Sequence, residues 1–161
     1  MDKKTGIVGF TGAFRDNLKD VADGSKIVFT GSAAVCTPFI ELLSYSIRDK
    51  NHELVFVPNA DLKQTKKLKM ENNLGYSVMD INTDPNNPDV VVVMGGLAMP
   101  KFGCSPEDVI NMVKEISKGN NPKLIGVCFM NIFQRTGWTE KIGFDVLIDT
   151  KMETTVFNDI H

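Results

Sequence analysis

Apolar positions along the chain fall into short dense runs separated by stretches with helical spacing, and that alternation predicts the architecture. Residues 26–31 (KIVFTG), 54–58 (LVFVP), 90–94 (VVVVM), 123–130 (KLIGVCFM) and 144–148 (FDVLI) have the length and β-branched content of buried strands. Residues 76–81 alternate weakly and are expected to form an edge strand, third in chain order. The VVVVM run is the most apolar of these and belongs at the centre of a sheet.

Helices are expected between the strands. Phe14, Leu18 and Val21 recur at helical spacing and predict a helix over about 11–22. Phe39, Ile40, Leu42, Leu43 and Ile47 give the buried stripe of a second, starting at Pro38 with Thr37 as its cap. Asp61 can cap a third, running to about residue 71 with Lys63, Lys66, Lys67 and Lys69 on a solvated face. The best-marked helix opens with Ser105, Pro106 and Asp108, carries Val109, Met112, Val113 and Ile116, and stops at Lys118-Gly119. A short helix is expected over 132–137, while the last dozen residues read as either a strand or an extended tail.

Strand and helix thus alternate almost throughout, which predicts a three-layer α/β/α, Rossmann-like, mostly parallel sheet in the order 3-2-1-4-5-6. One domain over 1–161 is expected, with the N-terminal helix packed on a sheet core of 26–150. In that order the topological switch point lies between the first and fourth strands, so ligands are expected at their carboxyl edge.

Composition narrows the partners. A net charge of −2 gives no electrostatic reason to expect nucleic acid or a membrane surface. Three cysteines match no secreted framework, and the start MDKKTG has no apolar signal region, so a reducing cytoplasm is the expected setting. The edge strand and the apolar N-terminal residues suggest a homodimer.

Two constellations could carry chemistry at the switch point. Cys36 stands before Thr37-Pro38, Cys104 before Ser105-Pro106, and Cys128 near the end of the fifth strand, so all three thiols are expected at one edge of the sheet. A thiol just ahead of a helix N-terminus is expected to have a depressed pKa. Gathered together, the three could hold zinc, a soft metal or an iron–sulfur cluster, with Met99 or Met130 as a weak extra ligand, or could form a redox pair. Against this stands ordinary packing of cysteine as a small buried hydrophobe, which suits Cys128.

The second constellation is a cradle for an anion, a nucleotide or S-adenosylmethionine. Of the G-x-G-x-x-G dinucleotide fingerprint only Gly31 matches, since Ala33 and Cys36 hold the other places and Pro58-Asn59 stands where a ribose-binding acid belongs. Gly31, Ser32 and Ala33 opposite Gly95 and Gly96 could still bind an anion through backbone N–H groups, with Ser32 or Thr37 assisting and Asn131 facing the same cleft. The competing explanation is that small residues occur where strand and helix approach closely. His52 and His161 are the only histidines, leaving few bases for a Ser-His or Cys-His system.

Taken in order, IVFTGSAAVCTPF, DVVVVMGGLAMP and GFDVLID resemble a family of uncharacterised archaeal proteins, mainly of methanogens, that are single Rossmann-like domains without an assigned activity. The resemblance implies an archaeal cytoplasmic protein and supplies no catalytic residues. Three functions remain open on these grounds: a thiol- or metal-dependent protein, a nucleotide or S-adenosylmethionine enzyme, and a non-catalytic subunit of a larger assembly.

Overall fold

A strand buried at every position, as Val90–Met94 is, can sit only where helices cover both sides of a sheet. The computed structural model describes residues 1–161 and shows that arrangement. In chain order the elements are α1 (Gly6–Asp16), β1 (Lys26–Gly31), α2 (Ala33–Ser46), β2 (Glu53–Pro58), β3 (Lys66–Glu71), β4 (Gly75–Met79), β5 (Val90–Met94), α3 (Pro106–Ser117), β6 (Lys123–Phe129), α4 (Ile132–Arg135) and β7 (Val146–Thr150). The sheet has seven strands in the order β4-β3-β2-β1-β5-β6-β7. From β2 to β7 the pairings are parallel, and β3 and β4 add an antiparallel hairpin to the β2 edge. No helix is long and apolar enough to cross a membrane.

Alternate side chains of the central strands feed two core layers. Ile27, Phe29, Val92, Met94 and Val127 face Phe10 and Phe14 of α1 and Ile40 and Leu43 of α2. Val28, Val91, Val93 and Cys128 face Val109, Met112 and Ile116 of α3, together with Phe133 of α4. Trp138 stacks on Phe133 at 5.4 Å and is a core residue. The α/β fold class is as expected, and the run β2-β1-β5-β6-β7 follows the predicted order 2-1-4-5-6.

Local differences have local causes. The segment expected as a helix to residue 71 is instead a short 3-10 turn over Leu62–Gln64, capped by Asp61, followed by β3. Only Leu68 of β3 is buried, against Leu54 and Val78, while Lys67 and Lys69 point to the exposed face and the half-buried Lys66 meets Asp80 across the hairpin at 2.6 Å. Such a strand resembles the polar face of a helix when read along the chain. The turn that makes the hairpin possible has Asn73 at φ 65° and Gly75 at φ 90°. This extra strand separates the expected second and third strands, the one change to the predicted order. The first helix covers Gly6–Asp16 rather than 11–22, so Leu18 and Val21 lie in the turn after it.

Helix α2 begins at Ala33, one and a half turns before the predicted start, and Pro38 lies inside it. Pro38 has no N–H for the Ala34 carbonyl, but Ala34 is exposed and water can serve that oxygen. Thr37 is therefore not a cap; its hydroxyl donates to the Ala33 carbonyl. In α3 the expected box is complete, with Asp108 N donating to Ser105 Oγ at 3.2 Å and Ser105 N to the Asp108 carboxylate at 2.9 Å.

His52, just before β2, is 8% exposed, and neither ring nitrogen has a well-placed hydrogen-bond partner. Burial lowers its pKa, outweighing the nearby Ser25 backbone and Asp23 carboxylate. Protonation therefore favours the unfolded chain, where imidazole titrates near 6.5, so this contribution to stability is whole above that pH and falls below it. The expected result is a drop in Tm from about pH 7.5 to about pH 5.5 that is smaller in His52→Leu, measured by differential scanning fluorimetry.

Candidate functional site

The carboxyl ends of β1, β5 and β6 bring most of the predicted site residues to one rim. Gly31 ends β1, Ser32 is the N-cap residue of α2, and Ala33 is its first helical residue. Gly95 and Gly96 open a 3-10 turn directly after β5, and Asn131 follows β6 with φ 57°. The Asn131 N–H donates to Asp149 of β7 at 2.8 Å, so it is tied to the neighbouring strand.

The glycines are explained by what they touch. A Cβ on Gly96 would stand 2.5 Å from Cys36 Sγ and 2.9 Å from Ser32 Oγ. On Gly31 it would meet Cys36 Cβ at 2.7 Å, and on Gly95 it would meet Cys128 Cβ at 2.5 Å and Cys128 Cα at 2.9 Å. The dipeptide after β5 is thus wedged between two thiol side chains, one from each core layer. Close approach of strand, turn and helix accounts for these small residues.

That geometry also separates the cysteines. Cys36 is buried with the α1–α2 layer, Cys128 with the α3–α4 layer, and Cys104 lies at the edge of the latter near the Asn59 and Ser105 carbonyls. All three are free, and no three His, Cys, Asp or Glu side chains approach closely enough to hold a metal ion. The expected thiolate cluster is not formed by Cys36, Cys104 and Cys128. At Cys104 the pKa is raised rather than depressed: burial pushes the thiol up to about 11, with Asp108 adding to the rise. Burial likewise pushes Cys128 up to about 12, and its thiol donates to Asp149 at 3.4 Å. Ser32 Oγ and Cys36 Sγ are 3.4 Å apart.

What the rim does offer is backbone. Ser32 is fully buried and its hydroxyl turns toward Cys36, so it makes no cap bond to the first turn of α2. Consequently the N–H groups of Ala33, Ala34 and Val35 have no protein acceptor, no acidic side chain occupies that turn, and Ala33 and Ala34 are exposed. The contrast with the sealed N-terminus of α3 is complete. Sequence reasoning missed Thr30, which donates to the Val57 carbonyl at 2.8 Å and accepts from Ala60 N at 3.1 Å. Those bonds hold Asn59 and Ala60, at φ 54° and 55°, beside the rim. Only the Pro58-Asn59 pair signalled a turn there. Two hollows lie elsewhere, about 670 Å³ between α2 and the hairpin, near Tyr45, Arg48 and Leu74, and about 200 Å³ beside His52.

Residues 5–153 match the family model described as an uncharacterized protein conserved in archaea, DUF2124. The chain belongs to this family. An uncharacterized protein of Methanocaldococcus jannaschii is 37% identical over 157 residues, covering 98% of this chain and 92% of that protein. An uncharacterized protein of Methanothermobacter thermautotrophicus is 37% identical over 148 residues, covering 92% of this chain and 91% of its own length. A crystal structure of a protein of unknown function from the same organism has a TM-score of 0.85 at 34% identity, covering 98% of this chain and 96% of that one. The DUF2124 chain accordingly carries the resemblance read from its three segments.

Three outcomes test this arrangement. Gly96→Ala is expected to cost about 1–3 kcal/mol in urea unfolding, and combining it with Cys36→Ala should cost less than the sum of the two. Gly95→Ala should gain no such relief from Cys128→Ala, because the Cβ and Cα it meets remain. In the folded protein iodoacetamide at about pH 7.5 should alkylate Cys104 at least about tenfold more slowly than in the unfolded chain, followed by mass spectrometry.

Proposed function

We propose that this DUF2124 protein binds a small anionic group, such as a phosphate or the phosphoryl end of a larger molecule, at the carboxyl edge between β1 and β5. The observation that carries the reading is the open first turn of α2, whose N–H groups lack acceptors at the switch point of the sheet. The helix dipole and unpaired donors favour negative charge and ask nothing of a thiolate. Three unpaired thiols support a reducing, cytoplasmic place of action. A dinucleotide is disfavoured against a simple anion by Ala33 and Cys36 in the fingerprint positions and by Pro58-Asn59 at the end of β2.

The test is thermal stabilisation by inorganic phosphate, AMP and S-adenosylmethionine. A ligand at about ten times its Kd should add about 1.4 kcal/mol, a Tm rise of about 3–6 °C for a chain of this size. Ala33→Asp places a carboxylate in the open turn, so it should leave the protein folded while abolishing the rise. The proposal fails if no compound raises Tm, or if the rise is the same in Ala33→Asp.

A further inference from the structure

The chain ends in an apolar arm that nothing on its own body covers. Residues 151–161 form no helix or strand and all are exposed, Met152, Val156, Phe157 and Ile160 included, with Phe157 at 73%. The arm leaves from Thr150, the last residue of β7, whose carbonyl accepts from Met130 N at 3.0 Å. β7 is an outermost strand, with β6 on one side and an open edge on the other.

A matching surface lies at the same corner. Helix α1 packs against β7, and the Phe10 ring lies 5.5 Å from that of Phe129, the last residue of β6, so the start of α1 stands at the carboxyl end of the sheet. There Ile7 and Val8 are exposed, Val8 at 79%, although the arm of the same chain does not lie on them. The charges are complementary on balance: Asp2, Lys3 and Lys4 precede Ile7-Val8 with more positive than negative charge, while Lys151, Glu153 and Asp159 around Val156-Phe157 carry more negative than positive. No carboxylate of its own chain engages Lys3, whereas Lys4 meets Asp16. Extended, residues 151–161 reach up to about 36 Å, and the 11 residues of α1 span about 16 Å, so the arm can run the length of a neighbouring helix.

We propose that this corner is an interface between two copies of the chain, the arm of each lying along α1 of the other about a two-fold axis. Each chain carries both halves of the contact, which is what a self-complementary interface needs. Pairing covers Ile7, Val8, Val156, Phe157 and Ile160 at once and brings the open β7 edges into the shielded region. The inference stands apart from the anion site and survives or fails without it.

Sedimentation velocity on the full chain at micromolar concentration tests it. The expected mass is twice the 17.8 kDa of one chain. Phe157→Asp and Val8→Asp should each give a single-chain mass with an unchanged far-UV circular dichroism spectrum, because both sites are exposed. Leu74→Asp, equally exposed at the turn of the far hairpin, should leave the dimer intact. A wild-type monomer or higher oligomer, a dimer surviving either arm or helix substitution, or dissociation by Leu74→Asp overturns the proposal.

Discussion

The contact on which the rest depends is the wedging of Gly95-Gly96 between Cys36 and Cys128. It sits where β5, the strand with no polar face, leaves the core, and it joins the two layers that cover that strand. Side chains on either glycine would force apart helix and strand, so the chain must turn there with bare backbone. The direction of α2, the burial of Ser32 and the opening of the first turn all follow from how tightly Cys36 closes on Gly31 and Gly96.

The same contact assigns the cysteines to packing. Successive residues of a strand point to opposite faces, so a thiol on α2 and one on β6 can lie near the same turn and still belong to different layers. Each sulfur finds its own polar neighbour, Ser32 for Cys36, the Asn59 and Ser105 carbonyls for Cys104 and Asp149 for Cys128, and burial keeps Cys104 and Cys128 protonated at neutral pH. What is left facing water is a set of amide donors with no competing carboxylate, an environment suited to negative charge.

The two sheet edges are treated differently. At β4 and β3 the chain surrounds a single buried leucine with lysines and an ion pair, which makes further strand addition unfavourable. At β7 there is no such defence, and the arm and the exposed start of α1 lie beside it instead.

Much of this was legible along the chain. Apolar runs such as Val90–Met94 and Lys123–Phe129 declare buried strands by composition alone, and Ser105, Pro106 and Asp108 declare a helix start because capping is settled within one turn. The order of the central strands followed from right-handed crossovers. Cys36-Thr37-Pro38 looked like the same signal as Cys104-Ser105-Pro106, yet α2 runs back to Ala33, because contacts with Gly96, distant in sequence, decide where the helix begins. β3 was hidden for a similar reason: one inward leucine among lysines fits either period until Leu54 and Val78 supply its neighbours. By itself the sequence determined which segments must be buried and roughly how they alternate, since that depends on residue type and local spacing. Which face each thiol joins and which helix end stays open were decided only by the tertiary structure, because both depend on groups that meet after the sheet has closed.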